Sequence, residues 1–240
     1  MFKTVFSILL IVSSLYGENF KSPSAFLGYK LGDNFTYHHK VVSYFEHVSN
    51  TSSNVKLISY GKTYEGRPLL VAVISSEENM EMIEDLRMDN LKRAGIAKGQ
   101  ASNKKVGIVW LSYNVHGNEA NSTEAAMKTL YSLASKNNKK TQDWLKNTVI
   151  IIDPCINPDG RDRYTNWFRM TANRWPDADP LSIEHMEPWP GGRTNHYYFD
   201  LNRDWAWQTQ IESQSRIKLY NQWLPHIHVD FHEQGVNSPY

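Results

Sequence analysis

The sequence predicts an α/β fold built on a mixed, largely parallel β-sheet with helices on both faces. Two observations carry this reading. Apolar β-rich runs, "KVGIVWLSYN", "TVIIIDP" and "HIHVDF", alternate with segments of helical periodicity, "NSTEAAMKTLYSLAS" and "WQTQIESQSRIKLYNQWL", and strands separated by helices pair best side by side in one covered sheet. The composition, 40% hydrophobic and 21% charged over 240 residues, is that of a globular chain long enough for one sizeable core.

The elements follow in order. "MFKTVFSILLIVSSLYGENF" has Lys3 and then an apolar run from Val5 to about Tyr16, ending in small and polar residues. Residues 1–17 therefore read as a secretory signal peptide with a cut near Gly17. The run is shorter than the roughly 20 residues that span a bilayer, so no stable membrane anchor is expected. The mature chain is expected in the periplasm or outside the cell. Residues 18–35 read as an N-terminal extension. In "TYHHKVVSYFEHVSN", Val41, Tyr44, Phe45 and Val48 share one helical face. "NVKLISYGKTYEGRPLLVAVISS" holds two β-rich runs joined through Gly66 and Pro68, a hairpin. Residues 77–95 form a charged helical pattern, and the alternation of strands and helices follows. Between Ile156 and Trp205 the chain has weak periodicity and is read as one long irregular stretch. Its aromatics, among them Trp167, Phe168, Trp175, Trp189, Tyr197 and Tyr198, argue for an ordered functional loop rather than disorder.

Charge and cysteine content narrow the chemistry. Lys plus Arg number 26 against 25 Asp plus Glu, so nothing points to nucleic acid or an anionic membrane as the main partner. Cys155 is the single cysteine, which excludes an intramolecular disulfide. Its apolar flank, "VIIIDPCINP", assigns it to the interior rather than to nucleophilic work. There is also no Gly-x-Ser-x-Gly.

In open α/β sheets ligands bind outside the carboxyl ends of the strands. His116 and Glu119, in "HGNE", follow one strand, and His232, in "HVDFHEQG", closes another. Two His and one Glu with an open fourth position suit catalytic zinc. Taken alone, "HGNE" reads more readily as a solvated turn than as a metal site. Asn121 is expected to cap the next helix with Glu124 as its capping-box partner, which leaves Glu119 free. His226, His228, Asp230 and His232 alternate and so share one face. His232 is preferred because it lies nearest the C-terminal end, while Asp230 either orients a ligand or makes a structural hydrogen bond. The long stretch adds "NPDGRDRY", read as a turn, and "GGRTNHYYFDLNRDW" with Arg193, Asn202 and Arg203. Arginine clamps carboxylates and asparagine adds a neutral donor, although an arginine taken singly is more often a surface charge or a member of an ion pair.

Together, "HGNE" after a strand, "NPDG" after the next, "DLNRDW" at the end of a long loop and "DFHE" closing a later strand resemble the zinc metallocarboxypeptidases of the carboxypeptidase A type, in the family's order. The resemblance covers residues 36–240, expected to be a catalytic domain whose C-terminal strands are missing. It implies one zinc ion held by His116, Glu119 and His232, with Asn202 and Arg203 holding the substrate's terminal carboxylate. Arg193 is the implied oxyanion-stabilising arginine, with Arg163 and Arg174 as alternatives. The implied reaction is hydrolysis of the bond next to a free C-terminal carboxylate of a peptide or protein. Zinc would polarise the carbonyl and acidify water, and Arg193 would meet the developing charge. Two departures stand out. Asp204 occupies a position where many relatives carry asparagine. The family's general-base glutamate and substrate-capping tyrosine lie well downstream of the third ligand, whereas this sequence stops at Tyr240, so a fragment or a truncated product is expected. Glu233 is not expected to replace the base, since strand neighbours face opposite ways. Two other readings are a zinc amidase or deacylase acting on cell-wall peptides and, should the chain truly end at Tyr240, a non-catalytic zinc- or peptide-binding module. Oligomeric state is not encoded in any motif.

Overall fold

The computed structural model describes residues 20–235. The proposed signal peptide, residues 1–17, lies outside the described residues. In chain order the elements are α1 (Pro23–Leu27), α2 (His38–Thr51), β1 (Val55–Lys62), β2 (Pro68–Ile74), α3 (Glu77–Glu81), α4 (Ile83–Arg93), β3 (Gly107–Tyr113), α5 (Asn121–Ala134), α6 (Lys139–Leu145), β4 (Thr148–Asp153), α7 (Pro158–Thr171), two single 3-10 turns (Ile183–His185 and Leu201–Arg203), α8 (Ile211–Trp223) and β5 (Ile227–Phe231).

The strands form one sheet in the order β1-β2-β4-β3-β5. Strand β2 runs antiparallel to both of its neighbours, while β4, β3 and β5 are mutually parallel. The predicted mixed sheet is present, with two of its four pairings parallel and two antiparallel. Alternation along the central strands fills two cores. Ala72, Ile74, Ile150 and Ile152 meet Tyr44, Phe45 and Val48 of α2 and Met127 and Leu130 of α5. On the other face Val71, Val73, Val149 and Ile151 join Trp110 against Leu86 of α4 and Leu219 and Trp223 of α8. Because both faces are covered, β2 is buried without interruption from Leu69 to Ile74, the continuous apolar signature of such strands. Strand β5, at the sheet edge, differs: Ile227, Val229 and Phe231 are exposed while His228 and Asp230 turn inward. Residues 20–35 dock on the first core through Phe20, Phe26 and Leu27. Among the described residues no helix is long and apolar enough to cross a membrane.

Four local expectations are corrected. The segment 77–95 is two helices. Ser76 caps α3, and the buried Asn79 donates to Ser75, Leu145 and Lys146, fixing that turn to the entrance of β4. The chain then breaks at Met82 (φ −116°, ψ 24°) before α4. "NPDG" is not a free turn but the start of α7: the Asn157 side chain accepts from the Gly160 amide at 3.0 Å and Pro158 occupies the first helical turn, where its missing N–H is harmless. The irregular stretch is shorter by that helix. Asn121 is the first residue of α5 rather than its cap. Its capping-box partner is engaged elsewhere, because Glu124 accepts from the amide and hydroxyl of Thr36 (2.7 and 2.8 Å) and from Arg161 (2.7 Å). Finally, α8 starts only at Ile211, because Asp204 holds the amides of Thr209 and Gln210 in the preceding loop, both at 2.9 Å.

Candidate metal centre

The centre starts where β3 ends. Asn114 adopts a left-handed backbone (φ 59°), which asparagine tolerates better than most residues. Its side-chain amide donates to the carbonyls of His116 (2.7 Å), Glu119 (2.9 Å) and Gly117 (3.3 Å), curling "HGNE" into a compact turn. The other end of that side chain accepts from Thr123 of α5 (3.2 Å) and Arg161 of α7 (3.3 Å). Three glycines then let separate segments touch backbone to backbone. A Cβ on Gly117 would lie 2.2 Å from the Arg161 nitrogen, one on Gly160 2.3 Å from the Gly192 carbonyl oxygen, and one on Gly192 2.6 Å from the Gly160 carbonyl oxygen. The glycines of "HGNE", "NPDG" and "GGR" are therefore one junction, and it sets the Arg193 loop beside the His116 turn.

On this frame His116, Glu119 and His232 offer ligand atoms that all lie within 4.8 Å of one another. Nδ1 of His116 is 2.7 Å from Glu119 Oε1, and Nδ1 of His232 is 3.0 Å from Glu119 Oε2. Each ring also turns its far nitrogen to an aspartate: His116 Nε2 lies 3.1 Å from Asp200 Oδ1, and His232 Nε2 lies 3.4 Å from Asp230 Oδ2. An imidazole held from behind by a carboxylate is the usual arrangement around a bound metal, since it fixes the tautomer and raises ligand basicity. His116 is buried, while His232 is about one-third exposed. The donor set, its convergence and these outer partners fit zinc.

Electrostatics keep Glu119 ionised. Burial pushes its carboxyl up, but hydrogen bonds and charge from His116, the Glu233 amide and the His232 ring together hold it below the usual carboxylate range. Asp200 behaves likewise: burial raises it, and the Asn202 amide, His116 and Arg193 outweigh that. Glu233 differs. Strand β5 ends at Phe231, so Glu233 is not on the strand at all, and its carboxylate accepts the backbone amide of Asn121 (2.7 Å) and its side chain (3.1 Å). This carboxylate takes the capping position at the start of α5, and burial still pushes its pKa up.

The other histidines of the "HIHVDF" segment are occupied. The amide of Ile108 donates to His226 Nδ1 at 3.0 Å, and His228 Nε2 lies 2.9 Å from the Ser112 hydroxyl. Of the three candidate arginines, Arg193 alone contacts the centre, through Asp200 Oδ2 at 3.0 Å. Arg163 donates to the carbonyls of Gly191, Thr194 and Asn195 and packs on Tyr198, tying the loop together. Arg174 lies over the Trp175 ring. Asn202 and Arg203 sit on the 3-10 turn that follows Asp200, with the Asn202 amide donating to Asp200 Oδ1 at 2.9 Å. The Arg203 side chain is exposed and donates only to the Asn202 carbonyl (3.2 Å) among the described residues. Cys155 is buried, and burial pushes its thiol up to about 12, as its apolar flank implied.

Sequence reasoning missed Asn114 and Asp200. Asp200 heads the "DLNRDW" motif, and its place two residues before the Asn-Arg pair is the signal that could have found it.

The sequence profile of the zinc carboxypeptidase family matches residues 41–223. No curated protein sequence matches the chain significantly. Among solved structures, a metallo-carboxypeptidase from Burkholderia cenocepacia aligns with a TM-score of 0.54 at 16% identity over 82% of this chain and 40% of its own. Carboxypeptidase A from Helicoverpa armigera aligns with 0.53 at 17% over 86% and 47%, and thrombin activatable fibrinolysis inhibitor with 0.57 at 16% over 85% and 48%. The chain thus spans less than half the length of each of these three structures. The profile match over most of the chain, on a fold shared with these structures, shows that the chain belongs to the zinc carboxypeptidase family.

Proposed function

We propose that the full-length protein is a zinc-dependent metallocarboxypeptidase that hydrolyses the peptide bond next to a free C-terminal carboxylate. The convergence of His116, Glu119 and His232 within 4.8 Å carries this reading, and family membership supports it. Zinc, when bound, supplies Lewis acidity toward a carbonyl and an acidified water. The chain's own residues supply the rest. Asp200 and Asp230 hold the two imidazoles from behind, keeping their Nδ1 atoms turned toward Glu119. Arg193 uses Nη2 for its pair with Asp200, and its other N–H donors are available to meet negative charge developing on a carbonyl oxygen. Asn202 and the exposed guanidinium of Arg203 receive the terminal carboxylate, which fixes the register of the bond that is cut. Export of the mature chain belongs to the same reading, and N-terminal sequencing of protein recovered outside the cytoplasm checks a cut near Gly17.

His116→Ala in the full-length protein is expected to lose both stoichiometric zinc, measured by equilibrium dialysis, and hydrolysis of a free-carboxylate peptide. Normal zinc content in that variant sinks the ligand assignment. Arg203→Met is expected to keep zinc and to raise KM for the free-carboxylate peptide about 30-fold or more, as loss of a charged hydrogen-bonding partner does. Equal cleavage of free and C-terminally blocked peptides by the wild-type enzyme removes the carboxylate-clamp role instead.

A further inference from the structure

Arg216, on α8, is 1% exposed, and Nε, Nη1 and Nη2 all lack a hydrogen-bond partner among the described residues. One face of its guanidinium is covered by Trp205, whose ring centre lies 3.9 Å from the central carbon. The carboxylates whose charge acts on it are Asp153, Asp230 and Asp204. Asp204 is engaged by Thr209 and Gln210. Asp153 accepts the Tyr60 hydroxyl on Oδ2 at 2.9 Å, but its Oδ1 is buried without a partner. Asp230 turns Oδ2 to His232, and its Oδ1 is likewise buried without a partner.

Three orphaned donors and two orphaned acceptors of opposite charge thus share the interior between α8 and the carboxyl ends of β4 and β5. A buried charge without hydrogen bonds is strongly disfavoured, and the complementary groups lie too far apart to bond directly. Water, which needs two to four polar partners in such a place, is the ligand these atoms suit. Asp230 is the member of the group whose other oxygen faces a metal ligand, so whatever restrains its Oδ1 also restrains the His232 ring.

We propose that Arg216 is a positioning residue of the metal centre, linked by bridging water to Asp230 Oδ1 and through Asp230 to the orientation of His232. The assignment rests on the zinc reading above. Outer partners of metal ligands typically change affinity 10–100-fold when lost.

The test uses the full-length protein with zinc itself as the probe, its Kd measured by chelator competition in Arg216→Met, Arg216→Lys, Asp230→Asn and the Arg216→Met/Asp230→Asn double variant. Arg216→Met is expected to weaken zinc about tenfold, and Arg216→Lys, which keeps a cation, to lose less. In the Asp230→Asn background the Arg216→Met change is expected to add little, the non-additivity of residues acting in one chain. Unchanged zinc affinity in folded Arg216→Met, or an undiminished loss in the Asp230→Asn background, overturns the assignment while leaving the zinc reading intact. A wild-type protein that binds no zinc removes both. Should Arg216→Met not fold, a high-resolution crystal structure of the metal-free wild type decides: water shared by Arg216 and Asp230 Oδ1 supports the link, and a guanidinium bound only to Asp153 overturns it.

Discussion

Two arginines are buried in this protein to the same depth and live in opposite circumstances. Arg161, 0% exposed on α7, donates to the carbonyls of Thr36 and Ala120, to Asn114 and to Glu124. Arg216, 1% exposed on α8, has no direct partner among the described residues and rests on the ring of Trp205. Burial alone therefore says little about what a charged side chain does. Arg161 is a staple that joins the segment before α2, the start of α5 and the "HGNE" turn, and its charge is neutralised by Glu124 at 2.7 Å. Arg216 is a cation held near carboxylates without touching them, the condition expected of a group that acts through water or another side chain.

Stability measurements are the sharpest way to break this contrast. Arg161→Met strands Glu124 in the interior and is expected to lower unfolding free energy by roughly 3–5 kcal/mol, the usual loss when one partner of a buried pair is removed. Urea denaturation reads it, and pairing the change with Glu124→Leu should recover part of the loss. A loss no larger than that of Arg216→Met would erase the distinction. Next in size is a pH effect beside Arg161. Burial, with Arg161 among the nearby charges, lowers His38 from 6.5 to about 4, against the opposing hydrogen bond to the Pro68 carbonyl at 2.8 Å. As pH falls below 6.5 the unfolded chain takes a proton that folded His38 refuses until about pH 4, so this group's contribution to stability declines across that window. The decline is expected to reach roughly 2 kcal/mol by pH 5, and His38→Gln should flatten it in melts at pH 7.5 and pH 5. An unchanged slope would mean that His38 is not the titrating group. The smallest stability effect is expected for Arg216→Met, on the order of 1 kcal/mol, since no direct hydrogen bond is lost. Its signature belongs in zinc affinity instead.

The sequence was informative about these regions to different degrees. The convergence of His116, Glu119 and His232 was legible because two local rules agree: side chains that follow the carboxyl ends of parallel strands gather at one place, and His-x-x-Glu in a turn brings two donors together. The helix at Pro158 was misread because Asn-Pro-Asp-Gly satisfies both turn and helix-start chemistry, and the contacts of Arg163 and Tyr164 with the remote 191–195 loop, which accompany the helix, have no local sign in the sequence. Glu124 left its expected capping role for the same kind of reason, since Thr36 and Arg161 are remote in sequence and adjacent in space. The glycines of the three motifs carry no local sign that they touch one another. Their need for a bare Cα exists only once the "HGNE" turn, the start of α7 and the Arg193 loop are pressed together.

What the sequence determined by itself is the local part: the continuous apolar runs of β2 and β4, the apolar stripe of α2, and the order of motifs that identifies the family. These depend on residues close in the chain, where side-chain period and backbone geometry suffice. What only the tertiary structure decided is which charged groups are satisfied. Asp200 and Asp230 stand behind the two histidines, Glu233 sits at the start of α5, and Arg161 is bonded where Arg216 is not. Those outcomes depend on distances of a few ångströms between segments far apart in the chain, and a hydrogen bond's worth is set by that geometry and by exclusion of water, neither of which is written in any local stretch of residues.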